Sequence, residues 1–208
     1  RAFEGCGDLR KVTISEGIDE IGAYAFIGCG NLERVILPST LVIIDNSNPV
    51  FTGCSKLEIT ATAPKEGQEF YHYVYDGALY MHIGREKTEK LRWIPEKKTG
   101  TVVIKEGTTE ITQCSIYLTN VDKIVIPGSV KLIDIYTFVS CKTPLVLELN
   151  WKTKEDVDEI TTNMSDPSSF FFDGTDRSAV KVTVPKGTKS YYESHWLWSN
   201  LGGIVERP

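Results

Sequence analysis

Apolar residues recur along the chain in steps of two, four and three. The cadence runs Val12, Ile14, Ile18, Ile21, then Val35, Leu37, Leu41, Ile44, then Val102, Ile104, Thr108, Ile111, then Ile124, Ile126, Val130, Ile133, and more loosely Val182, Val184, Thr188, Tyr191. The step of two is strand periodicity, and the β-branched content suits a strand with one buried face. No window sustains the 3.6-residue period of a long amphipathic helix. Turn chemistry follows each strand: Ser15-Glu16-Gly17, Pro38-Ser39, Lys105-Glu106-Gly107, Pro127-Gly128-Ser129 and Pro185-Lys186-Gly187. Proline lacks a backbone donor and fixes φ, so it ends the ladder at the same point in successive units. Strands are predicted near residues 9–14, 32–37, 57–61, 101–104, 121–126, 145–149 and 179–184.

A second motif lies between these strands. Ala2-Phe3-Glu4-Gly5-Cys6 returns as Ala25-Phe26-Ile27-Gly28-Cys29 and Val50-Phe51-Thr52-Gly53-Cys54, and a leucine follows each cysteine at Leu9, Leu32 and Leu57. A unit of about two dozen residues cannot bury an apolar face alone, so neighbours must stack into a solenoid with a continuous core. The strands of successive coils then lie ~4.8 Å apart. Two insertions, at about 66–98 and 151–178, interrupt the repeat. In the first, Tyr71 to Tyr75 leads through Asp76-Gly77 into Ala78 to Met81, a hairpin signal, and Leu91 to Ile94 completes a meander. The second opens with an acidic helix from Lys154 to Ile160 and continues as a loop to Asp173-Gly174. The aromatic run from Tyr191 to Trp198 belongs to a C-terminal cap over about 185–208, and the whole of 1–208 reads as one domain.

The unit resembles the BspA-like, or Treponema pallidum type, leucine-rich repeats of bacterial cell-surface proteins. The pattern Ala-Phe-x-x-Cys-x-x-Leu-x-x-Val-x-Ile-Pro-x-x-Val-x-x-Ile is nearly intact from Ala25 to Ile44, and the Asp76-Gly77-Ala78-Leu79-Tyr80 turn and Val184-Pro185-Lys186-Gly187 are similar to that family's insertion and terminal cap. The resemblance implies a right-handed α/β leucine-rich-repeat solenoid, strand-rich with short 3₁₀ or irregular returns. It also implies export, display on a bacterial surface, lipoprotein anchoring outside this chain, and binding of host-derived proteins or other ligands. Departures occur where Ile116 and Thr119 stand in the Phe and Cys positions and where Asp156 breaks the cadence. The opening Arg1-Ala2-Phe3 falls in mid-repeat, which suggests further coils or an anchor upstream.

Composition narrows the functional classes. The excess of 28 acidic over 23 basic side chains gives −5, against a dedicated nucleic-acid binder. No uncharged stretch reaches the ~18 residues that span a bilayer. Five cysteines are present, and Cys6, Cys29, Cys54 and Cys141 share one repeat position, which makes buried free thiols the expectation, with a Cys29–Cys54 bridge as the alternative. No close Cys or His pair gives zinc-ligand spacing. His72, His82 and His195 have neighbours that explain them without a Cys-His nucleophile, and no enzyme is expected. Asp173-Gly174-Thr175-Asp176 reads as a turn, since the ligand series of a calcium loop is absent. Asn163-Met164-Ser165 fits a glycosylation sequon, expected to go unused in a bacterial product. Neither metal nor cofactor is implied.

Candidate binding residues lie on the outward face of the ladder. If Val12 and Ile14 point inward, alternation turns Lys11 and Thr13 outward, and the equivalent positions are Arg34 and Ile36, Thr101 and Val103, Lys123 and Val125, Val146 and Glu148, Lys181 and Thr183. A concave sheet with Ile36, Val103 and Val125 among Lys and Arg suits a protein or peptide, because charge-rimmed apolar patches mark interaction surfaces. Tyr71, Tyr73, Tyr75 and Tyr80 make a second patch suited to a protein or a sugar, with some of them needed to pack the meander. The functional expectation is therefore an adhesion or ligand-binding module. A glycan-binding component of nutrient uptake and a structural spacer are the alternatives, and the oligomeric state is left open.

Overall fold

The protein is described by a computed structural model covering residues 1–45, 48–160 and 170–208. The predicted sequon and most of the loop around it lie outside the described residues. The strands predicted from the cadence are present as β1 (Lys11–Thr13), β3 (Arg34–Leu37), β5 (Glu58–Ala61), β9 (Thr99–Val103), β11 (Asn120–Ile126), β13 (Leu145–Leu149) and β14 (Val180–Val184). One more, β15 (Ile204–Glu206), pairs with β14. All pair in parallel with in-register neighbours: Val12 faces Val35 and Ile59, while Val102, Ile124, Leu147, Val182 and Ile204 form a second row. These side chains are buried except Val12, which is half-covered in the first coil.

The last position of each cadence forms its own file. Ile21, Ile44, Ile111 and Ile133 end the two-residue strands β2 (Glu20–Ile21), β4 (Ile43–Ile44), β10 (Glu110–Ile111) and β12 (Leu132–Ile133). In the loosest repeat a helix, α2 (Lys189–Glu193), replaces the second strand, and Tyr192 turns inward.

A third file follows the phenylalanines. Phe3, Phe26 and Phe51 stack at 5.3 and 5.8 Å between ring centroids, and Trp93 continues the pile at 5.4 Å. Backbone bonds link these turns from coil to coil, as from Phe26 N–H to Val50 O at 3.1 Å and from Gly28 N–H to Thr52 O at 2.7 Å. The coils approach closely at the glycines: a Cβ on Gly53 would lie 3.1 Å from Gly28 Cα, and its φ of +79° already disfavours a side chain.

The cysteines use the same stacking. Sγ of Cys29, Cys54 and Cys141 donates to the carbonyls of Phe3, Phe26 and Ile116 at 2.9, 3.0 and 3.1 Å, so each thiol reaches the Phe position of the coil before it. All five cysteines are free, Cys29 and Cys54 included. The shared position does not bury them all, however. Cys6 is exposed. Burial raises the thiols of Cys54 and Cys141 to about 12 and that of Cys114 to about 11. Since the thiolate is the reactive form, brief maleimide treatment of the native protein should give one adduct, at Cys6, by mass spectrometry. Guanidinium should raise this to five.

The first insertion is the predicted meander, with β6 (Phe70–Tyr75), β7 (Ala78–Ile83) and β8 (Thr88–Trp93). Asp76 and Gly77 both have positive φ, at +46° and +76°, as a tight two-residue hairpin requires. Strand β8 then pairs in parallel with β10, Leu91 facing Ile111, so the meander supplies the second-file strand of its own coil. It also divides the main ladder. Strands β1, β3 and β5 form one sheet and β9, β11, β13, β14 and β15 another, with separate apolar clusters behind them.

The second insertion opens with the short helix α1 (Lys154–Asp158), within the span predicted. Thr153 Oγ1 accepts from Asp156 N–H at 3.1 Å, and acidic residues occupy the first turn, where the helix dipole favours them. The acidic residues are more than a solvated face: Lys131 Nζ reaches Asp156 at 3.0 Å and Glu159 at 3.3 Å, tying the helix to the coil before it. The far end is closed by buried Trp151, Tyr192 and Trp198. Tyr192 Oη donates to Trp151 O at 2.7 Å, and the Trp151 indole N–H donates to Val130 O at 2.8 Å.

Candidate functional site

Parallel in-register pairing turns the alternation of each strand into straight rows on the outer face. In the first sheet one row is Lys11, Arg34 and Glu58, and the next is Thr13, Ile36 and Thr60. In the second sheet one row is Thr101, Lys123, Val146 and Lys181, and the next is Val103, Val125, Glu148, Thr183 and Val205. The sequence-derived candidates therefore do share one face within each sheet. They do not form a single uninterrupted surface, since no strand pairing joins β5 to β9.

Exposure is uneven along these rows. Lys11, Thr13, Arg34, Thr101 and Lys181 are exposed, while Ile36, Lys123, Val125, Val146 and Glu148 are half-buried. Val103 and Val205 stand out at 53% and 59% exposed. Sequence reasoning missed Glu58, Thr60 and Val205, because the third coil departs from the regular spacing and β15 follows the cap with one apolar pair, Ile204 and Val205.

Charge on this face is more balanced than the row of Lys and Arg predicts. Lys123 Nζ lies 2.5 Å from Glu148, and Arg207 pairs with the other oxygen of the same carboxylate. Burial pushes Glu148 upward, but the two cations outweigh it and hold the carboxyl below its usual range. Lys97 pairs with Glu58 at 2.8 Å across the break between the sheets. Lys11 and Lys181 make no ion pair among the described residues.

The tyrosines of the meander are mostly spent on packing. Tyr80, placed in the second patch by its sequence, is fully buried and cannot meet a ligand. Its hydroxyl accepts from Lys105 N–H at 3.1 Å, and burial raises it to about 12. Tyr73 stacks on Tyr80 at 5.6 Å, donates to Glu89 at 2.5 Å and accepts from Lys105 Nζ at 2.9 Å. Tyr71 lies against His82 at 4.8 Å, with His82 Nδ1 2.6 Å from Glu89. Tyr75 is left exposed at 47%. All four share one face, since Tyr71, Tyr73 and Tyr75 alternate along β6 and Tyr80 is the cross-strand partner of Tyr73; what divides them is position, Tyr80 lying on the inner strand β7 and Tyr75 at the turn end of the edge strand β6.

Among the described residues no group of three or more His, Cys, Asp or Glu is placed to hold a metal ion. No described helix is long and apolar enough to cross a membrane.

Stacked parallel coils and a repeated Phe turn define a leucine-rich-repeat solenoid. Solved structures agree on the fold. One is a leucine-rich repeat protein from Eubacterium ventriosum, with a TM-score of 0.62 and 18% identity over 96% of this chain and 48% of that one. A second is a leucine rich cell surface protein from Faecalibacterium prausnitzii, with a TM-score of 0.53 and 16% identity over 100% of this chain and 62% of that one. The chain thus spans about half to three-fifths of the length of these structures. No curated protein matches its sequence. The family model for the BspA type leucine rich repeat region matches six copies over residues 1–80 and 96–146, and the chain belongs to that family. The ladder continues past the matched region through β14 and β15.

Proposed function

We propose that this chain is a non-enzymatic ligand-binding and adhesion module of a bacterial cell surface, acting as one leucine-rich-repeat domain, and that it presents the outer strand rows to a protein partner. The observation that carries this reading is the second-sheet row in which Val103 and Val205 are more than half exposed, beside the unpaired Lys181. Singly exposed valines are ordinary, but here Val103 adjoins Val125, and Glu148 and Thr183 continue the row to Val205, an alternation of apolar and polar groups suited to an interface. Membership of a family of surface repeat proteins supports the placement.

The test uses beads coated with the purified protein and cultured epithelial cells. Adhesion is expected, it should vanish after the cells are treated with trypsin, and the double variant Val103→Asp, Lys181→Glu should reduce it at least about tenfold. Both positions are exposed, so stability should change by no more than ~0.5 kcal/mol per site. Lys123 is a poorer probe, since reversing its charge would set two carboxylates together at Glu148. Undiminished adhesion by the folded double variant would remove the ladder as the contact surface.

A further inference from the structure

The segments that lead from the second file to the phenylalanine file are alike in most coils. Ile21 to Phe26, Ile111 to Ile116 and Ile133 to Phe138 each advance five residues, whereas Leu91 reaches Ile94 in three. Leu91 pairs with Ile111, and Ile94 N–H donates to Ser115 O as Phe26 N–H does to Val50 O, so these are matching positions, with Trp93 beside Ile94 supplying the ring that meets Phe51. The coil that carries the meander therefore lacks the short loop its neighbours possess. A groove of about 360 Å³ opens there on the turn side of the coils, lined by Tyr24 and Asn48 from the earlier coils and by Gln113, Tyr117, Tyr136 and Asp173 from the later ones. This is within the size range of small-ligand sites, about 300–1,000 Å³.

The lining combines flat rings with planar polar groups. All three tyrosines are half-buried, leaving part of each ring open. Tyr24 Oη donates to Asn48 Oδ1 at 2.6 Å, and the Tyr117 hydroxyl makes no hydrogen bond among the described residues. Past Asn48, Gln113 and Tyr117 the groove meets a chamber of about 20 Å³, walled in part by Arg92. Such a space holds roughly one hydroxyl or water, which needs about 10–15 Å³. Arg92 Nε is buried there with no hydrogen-bond partner, while a terminal nitrogen of the same guanidinium donates to Ile44 O. An N–H left unpaired in a buried site seeks an acceptor.

Burial pushes the Arg92 guanidinium down, and nearby carboxylates offset part of that cost. Glu110, Asp45 and Asp134 act on it, Asp45 lines the chamber and Asp173 the groove, so an anionic ligand would gain one cation and meet a carboxylate in each space. A neutral acceptor suits the position better.

We propose that this groove is a binding site for a neutral saccharide, with the C–H face of a sugar ring on Tyr117, its flanks between Tyr24 and Tyr136, and a hydroxyl directed into the chamber at Arg92 Nε. Asn48, Gln113 and Asp173 meet the remaining hydroxyls. Carbohydrate fits because each sugar ring carries both an apolar face for aromatic contact and hydroxyls that donate and accept. The site shares no residue with the outer strand rows, so it stands or falls separately from the adhesion surface.

The test is saturation-transfer NMR and calorimetry with maltotriose, cellotriose and N-acetyllactosamine, using sialyllactose and trigalacturonate as acidic counterparts. At least one neutral sugar should bind with Kd of about 1 mM or tighter. Tyr117→Ala should weaken it at least about tenfold. Thr52→Trp, which places an indole in the groove wall, should do the same in a protein whose circular dichroism is unchanged, and Tyr75→Ala on the meander should leave binding as it was. The proposal is overturned if no neutral sugar binds, if the folded Thr52→Trp protein binds as well as the unaltered chain, or if the acidic sugars bind more tightly than the neutral ones.

Discussion

Phe51→Ala is expected to destabilise the protein by about 3–5 kcal/mol, read as a lower midpoint of urea unfolding. Phe51 is 3% exposed and sits between Phe26, at 5.8 Å, and Trp93, at 5.4 Å. The removed ring has few neighbours able to collapse into its space, since both adjoining rings are fixed in their own coils. The position matters further because Phe51 and Trp93 lie in the first apolar cluster while β9 onward builds the second. Hydrogen exchange in the variant should accelerate first over residues 1–61, the stack that loses its seat. A midpoint shift equivalent to less than about 1 kcal/mol would show that the phenylalanine file is not what holds the two stacks together.

Stability should also fall as pH drops from about 6.5 toward 4, and His72 is the main cause. It is 3% exposed, burial lowers it from 6.5 to about 4 with Arg92 adding in the same direction, and its Nε2 has no partner. Above pH 6.5 the ring is neutral in both states and contributes no slope. Between 6.5 and 4 the unfolded chain takes up a proton that the folded one refuses, so stability declines by about 3 kcal/mol in all and levels off for this group below 4. His195, buried and also lowered, adds to the decline. Urea midpoints between pH 7 and 5 should show the slope, and His72→Gln should flatten most of it. A slope unchanged in that variant would assign the effect elsewhere.

Much of the scaffold was legible because stacking forces the same residue types into the same place. Val12, Val35, Val102 and Ile124 announce inward positions by period alone, and the structure places each in a ladder row. What periodicity could not convey is where a coil breaks its own rule. The division of the ladder between β5 and β9 arises from how the meander seats against the coils, a tertiary matter without a local signal. The groove escaped notice for a related reason, since it is made by residues missing between Leu91 and Ile94. Among the tyrosines, the Asp-Gly turn identifies the hairpin but does not say which of its strands is the inner one, and Tyr80 on β7 is buried while Tyr75, on the same face of the edge strand, is open. Pairings such as Lys123 with Glu148 and Arg207 depend on register between strands remote in sequence, which no single repeat reveals.

Where strands are hydrogen-bonded side by side, tension along the stack is shared by several amides at once. Between β5 and β9 no strand pairing exists, and the load falls instead on side chains: the Phe51–Trp93 contact, Lys97 on Glu58, Glu96 accepting from Gly53 N–H, and Arg92 donating to Ile44 O. A protein pulled from its two ends would therefore lengthen first at that joint. The outer rows on either side would part there while each kept its own ladder, so the chain would gain some length before any coil unravels.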